Sequence, residues 1–161
     1  ELHEVQAAAE RAGELLQRFR TARLPIVHVR HISVEPDASF FLPNSEGIEF
    51  DVHVRPESGE RIITKHTPNA FVGTDLNEHL RTLGVDSLVV GGMMTHMCVD
   101  STTRAASDAG FDCVLISDAC ATCAQSFSGS TIDAQSVHTA FLAAIDGTFA
   151  RVTPLEEFAF E

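Results

Sequence analysis

Ser87-Leu88-Val89-Val90-Gly91-Gly92-Met93-Met94-Thr95-His96-Met97-Cys98-Val99 is the stretch that decides the fold. Leu88 to Val90 form a short, continuous apolar run, as in a fully buried strand of a parallel sheet. Gly91 and Gly92 then permit backbone angles and close approaches that a side chain would forbid. Residues 99–109 read as a helix that stops at Gly110. This places Cys98 at the first turn of a helix. Free N–H groups and the positive end of the helix dipole favour a thiolate there. The same N–H groups could hold an oxyanion after that thiolate attacks a carbonyl. The plain alternative is a buried, inert cysteine.

Strands and helices alternate outward from this unit. Val5, Ala8, Ala12, Leu15, Leu16 and Phe19 recur at helical spacing over residues 1–22. Strands are expected at 26–29, 62–64, 112–116 and 149–152. Helices are expected at 74–83, capped by Thr74, and at 131–145 before Gly147. Right-handed crossovers then give an α/β, three-layer, doubly wound and mainly parallel sheet. One domain covers residues 1–161. Such a sheet ordinarily starts with a strand, whereas this sequence starts inside a helix. The first central strand is therefore expected upstream of Glu1, on a segment of roughly 20–30 residues. Residues 31–60 carry Pro36, Pro43, Gly47, Pro56 and Gly59 without clear periodicity, as a functional loop or lid does.

Ten of the 11 basic residues are arginine, and Lys65 is the single lysine. It ends the strand expected at 62–64, on the sheet edge where α/β proteins place their sites. A lysine in a partly dry cleft can be tuned as acid or base, which an arginine cannot. The plain alternative is a surface lysine.

The formal charge of −12 argues against nucleic acid and anionic membranes as partners. It weakly favours a neutral or cationic small molecule. No apolar stretch is long enough to span a membrane and no signal peptide is visible, so a cytoplasmic protein is expected. A homo-oligomer, dimer or tetramer, is expected too, with a neighbouring subunit contributing to specificity. Cys98, Cys113, Cys120 and Cys123 do not form a disulfide framework. Cys113 lies in an apolar strand. Cys120 and Cys123 have CxxC spacing without a second ligand pair or the helix start of a redox motif, and read as structural.

The stretch 89–99, followed by Thr102, Arg104, Ala105, Asp108 and Gly110, resembles the cysteine signature of the isochorismatase-like hydrolases. This superfamily includes nicotinamidases, N-carbamoylsarcosine amidases, streptothricin hydrolases and isochorismatases proper. Lys65-His66-Thr67-Pro68-Asn69-Ala70-Phe71-Val72-Gly73-Thr74-Asp75-Leu76 resembles the family's lysine motif, and Ser117-Asp118-Ala119-Cys120-Ala121 its strand-end motif. The resemblance runs from the first helix to about Pro154. It implies that Cys98 is the nucleophile and Lys65 its charged triad partner. It also implies a cis peptide at Met93–Met94 and an oxyanion site made by the N–H groups of Met94 and Cys98. The third triad member would be an aspartate ending the first strand, which this sequence does not contain. Asp118 matches a different motif and is no substitute.

Asn69, Phe71, Thr95, His96 and Phe41 are the candidate substrate-binding residues, with Phe40 beside Phe41. Core packing is the competing reading for Phe71, and a helix-start polar role for His96. His66 is expected to face solvent and His138 to be structural. No metal is expected: His31, Asp51 and His53 lack the clustered spacing of nicotinamidase ligands. No cofactor is expected either. The leading function is cysteine-dependent hydrolysis of a C–N bond in a small amide or cyclic amide. Alternatives are a non-catalytic binding protein of the same fold, an enol-ether hydrolase of isochorismatase type, and a thiol redox protein using Cys120 and Cys123.

Overall fold

The computed structural model describes residues 2–160. Helix α1 (Val5–Ala22) turns Ala8, Ala9, Leu15 and Leu16 inward. Leu15 packs with Ile116, Ala119, Leu155 and Phe158. Gly13 permits a close approach: a Cβ there would sit 2.9 Å from the His53 carbonyl oxygen.

Strands β1 (Val27–His31) and β2 (Arg61–Lys65) pair in parallel, with His31 opposite Lys65. Helix α2 (Leu76–Thr82) follows. Strand β3 (Ser87–Met93) leads to α3 (Asp100–Asp108), then to β4 (Asp112–Ala121). Hairpin strands β5 (Gln125–Phe127) and β6 (Ser130–Ile132) precede α4 (Ala134–Ile145) and β7 (Arg151–Thr153). All pairings among β1–β4 and β7 are parallel, and the hairpin is antiparallel. No helix among the described residues is long and apolar enough to cross a membrane.

The parallel strands form two pieces, β1-β2 and β3-β4-β7, and with the helices they make the expected α/β fold. Among the described residues strand β3 pairs on one edge only, so Leu88, Val89 and Val90 are half-buried rather than fully buried. A cavity of about 1030 Å³ opens beside that free edge. Val27, Leu88 and Val89 line it, with Phe19, Leu24 and Phe158. These strand residues lie at the N-terminal ends of β1 and β3, opposite the end that carries Lys65 and Met93.

Several boundaries differ from the sequence reading for local reasons. Strand β4 runs past 116 to Ala121 because Asp118 is satisfied in place: Leu155 N–H donates to Oδ1 at 2.9 Å. The helix expected from 131 begins at Ala134, after the hairpin. Ser128 and Gly129, with φ of 51° and 81°, make the tight turn. Asp133 caps α4 by accepting the Ser136 N–H at 2.9 Å. Helix α2 starts two residues after Thr74, whose hydroxyl still accepts the Leu76 N–H at 3.3 Å. The last strand is shifted slightly, to Arg151–Thr153.

Candidate active site

The chain between β3 and α3 does not enter the helix directly. Thr95–Val99 form a π-helical turn, closed by the Val99 N–H on the Met94 carbonyl at 3.2 Å. Gly92, at φ 141°, supplies a backbone conformation that side chains disfavour. The Met93–Met94 peptide is cis. Cys98 therefore sits within the π turn, two residues before α3 begins at Asp100, and is partly exposed.

Lys65 ends β2 and is almost fully buried. Its Nζ donates to the Cys98 Sγ at 3.1 Å and to the Thr67 carbonyl at 2.8 Å. It also lies 3.1 Å from Nδ1 of His31. A buried amine with a sulfur acceptor is the arrangement that holds a thiolate beside a cation. The turn after Lys65 is tied to the helix that follows Cys98. Thr102 of α3 accepts the Ala70 N–H at 3.1 Å and donates to the Pro68 carbonyl at 3.3 Å.

The other candidates divide. Phe41 is half-buried and stacks on His31, with ring centroids 5.0 Å apart, and Phe40 lies exposed against its edge. Asn69 uses its side-chain oxygen on the Phe71 N–H at 2.9 Å, shaping the turn. Phe71 packs toward the core and contacts Phe111. Thr95 is fully buried, with its hydroxyl 2.9 Å from Nδ1 of His138. His96 bonds the Thr122 hydroxyl and meets the ring of Phe141. Burial holds His96 below the ordinary histidine range. His66 is exposed and donates from Nδ1 to the Ile32 carbonyl at 2.7 Å.

Asp51 and His53 bond each other at 2.8 Å within a local turn. Asp118 serves the backbone of Leu155 and lies 3.6 Å from Nε of Arg11. All four cysteines are free. Burial pushes Cys113 up to about 11 and Cys120 up to about 12. The CxxC pair thus contains one deeply buried, unreactive thiol.

His138 is structural, as expected, whereas His31, Thr67 and Thr102 support the site in ways the sequence does not display. His31 lies beyond the strand expected at 26–29, and only the parallel register sets it opposite Lys65. The carbonyl of Thr67 had no signal, since every residue carries one.

An Isochorismatase domain model matches residues 1–157. The chain is 45% identical over 153 residues to the uncharacterized isochorismatase family protein YddQ of Bacillus subtilis, covering 95% of this chain and 85% of that one. A solved isochorismatase structure from Pseudomonas putida superposes with a TM-score of 0.92 at 34% identity, over 99% of this chain and 81% of that one. A streptothricin hydrolase of Streptomyces noursei is 37% identical over 109 residues, 68% of this chain and 42% of its own length. The chain belongs to the isochorismatase family, whose members are generally hydrolases.

Proposed function

We propose that this family member is a cysteine-dependent hydrolase of C–N bonds in a small amide or cyclic amide. The observation that carries the reading is the 3.1 Å contact between the Lys65 Nζ and the Cys98 Sγ. In this reading the Cys98 thiolate attacks the amide carbonyl carbon, and the carbonyl electrons move to oxygen. The N–H groups of Met94 and Cys98 receive that oxyanion. Collapse breaks the C–N bond, and the leaving nitrogen takes up the proton that the Cys98 thiol gave to the base. Water then adds to the thioester and releases the acid and the free thiol. The kinship with a streptothricin hydrolase supports hydrolysis as the class of reaction.

An aspartate acting as proton-accepting base would complete the triad, as the family resemblance implies. The wall of Phe40 and Phe41 beside His31 is the assigned substrate-facing surface, with Asn69, Phe71, Thr95 and His96 shaping the floor behind it. The working form is a cytoplasmic homo-oligomer, a dimer or tetramer, acting without metal or cofactor.

The test is ammonia or amine release from a panel of small linear and cyclic amides, by the wild type and by Cys98→Ala and Lys65→Met. The reading expects turnover of at least one amide and its loss in Cys98→Ala. A panel left untouched while an enol ether is cleaved would replace the amide reading. Binding without any turnover would make the protein a non-catalytic member of the fold.

A further inference from the structure

The Lys65 amine has three N–H donors. Each has an acceptor: the Cys98 sulfur, the Thr67 carbonyl and Nδ1 of His31, at 3.1, 2.8 and 3.1 Å. An ammonium offers no lone pair, so Nδ1 of His31 accepts and the ring carries its proton on Nε2. Burial first, then the charges of Lys65 and His66, hold His31 below the ordinary histidine range and keep it neutral. The parallel register sets His31 directly opposite Lys65. Its edge faces the amine while its face stacks on Phe41 at an interplanar angle of 21°. Phe41 meets Phe40 edge-on at 5.1 Å. The Ser33 N–H closes this loop on the Phe41 carbonyl at 2.9 Å. One imidazole thus touches the lysine with its edge and the aromatic loop with its face.

We propose that His31 is a positioning residue: Nδ1 fixes the Lys65 ammonium on the Cys98 sulfur, and the ring face ties that geometry to the loop of Phe40 and Phe41. The proposal rests on the reading of Cys98 as nucleophile and Lys65 as its partner. A neutral acceptor of fixed direction leaves the ammonium one orientation, with one hydrogen aimed at sulfur. Without it, the freed hydrogen seeks water and the amine spends less time on the thiolate. The loop enters because stacking sets the ring plane, and the ring plane sets where Nδ1 points.

The experiment measures alkylation of Cys98 by iodoacetamide at pH 7, mapped by peptide mass, together with the ultraviolet absorbance of the thiolate. His31→Phe keeps a ring for Phe41 and loses the acceptor. His31→Asn keeps an acceptor oxygen and loses the ring. His31→Phe is expected to slow alkylation roughly tenfold, one logarithmic unit of thiolate population, and to lower the absorbance in step. His31→Asn is expected to restore most of the rate. Phe41→Ala should slow the wild type and add nothing in the His31→Asn background. Lys65→Met is the control and should slow alkylation by itself. If Lys65→Met slows the reaction while His31→Phe does not, His31 has no positioning role. Equal slowing in His31→Phe and His31→Asn also overturns the proposal, since the acceptor would not matter. An equal effect of Phe41→Ala in both backgrounds removes the tie to the loop. No effect of Lys65→Met overturns the Cys98–Lys65 pairing itself, and the proposal with it. Circular dichroism melts confirm that each variant is folded, and His31→Leu replaces His31→Phe if the latter does not fold.

Discussion

The Thr95 hydroxyl lies 2.9 Å from Nδ1 of His138, joining the turn that carries Cys98 to helix α4. Thr95 has no exposed surface, so its hydroxyl has no water to replace that partner. His138→Leu should therefore destabilise the fold by about 1–3 kcal/mol, the cost of an unmet buried hydroxyl. Chemical denaturation checks it. Unchanged stability in His138→Leu would show that the contact is dispensable.

Acid should weaken the fold in two steps. Burial is the leading cause that holds His31, His96 and His138 below their ordinary value of 6.5. Each is a base whose folded form resists protonation, so the unfolded chain binds more protons as pH falls. Their contribution is fully present above 6.5 and is lost as pH drops below it. Glu60 is the second step. Hydrogen bonds from Arg20 lead the causes that lower it from 4.5 to about 2. Its contribution is present above 4.5 and is lost as pH falls toward 2. Melting temperature against pH should show both declines. A flat profile from 7 to 5 would contradict the histidine step.

Glu60 also makes a specific structural prediction. It accepts from Arg20 Nε at 2.7 Å and Nη2 at 2.8 Å, from the Glu57 N–H at 2.7 Å, and pairs with His28 Nε2 at 2.7 Å. The cluster joins α1 and β1 to the end of the long loop. Glu60→Gln removes the charge and part of the accepting capacity. A loss of about 2–3 kcal/mol is expected, in the range for hydrogen bonds to charged groups. Urea titration measures it, and a change within error would mean the cluster adds nothing.

The legible parts of the molecule were those governed by apolar runs and glycine stops. Leu88 to Val90, Gly91, Gly92 and the helix that ends before Gly110 could be read directly, and so could Lys65 at a strand end. Burial and backbone freedom act locally, and the sequence displays them. The π turn at 95–99 was not legible, because side chains suited to it also suit an α-helix start. Strand β4 was cut short at 116 because Ser117 and Asp118 look like a strand end. Only the distant Leu155 N–H makes Asp118 acceptable there. The hairpin of β5 and β6 has a signal in Ser128-Gly129, but its strands are three residues each: 125–127 show no pattern of their own, and 131–132 read as the start of the next helix. The roles of His31 and His138 depend on strand register and helix packing, which no local pattern encodes.

Thiol labelling separates the four cysteines. Burial pushes Cys113 to about 11 and Cys120 to about 12, so neither offers thiolate at neutral pH. Cys98 is partly exposed and receives the Lys65 N–H. Limited iodoacetamide with peptide mapping should modify Cys98 first. Faster modification of Cys123, which accepts from Gln125 at 3.3 Å, would count against Cys98 as the activated thiol.

The most direct measurement of the central claim is acid-quenched trapping on the amide panel, followed by peptide mass mapping. During turnover of a productive amide, the account predicts an acyl group on Cys98, removable by hydroxylamine as a thioester, and no ammonia or amine release by Cys98→Ala. Undiminished release by Cys98→Ala, or an acyl group carried only by another residue, would contradict it.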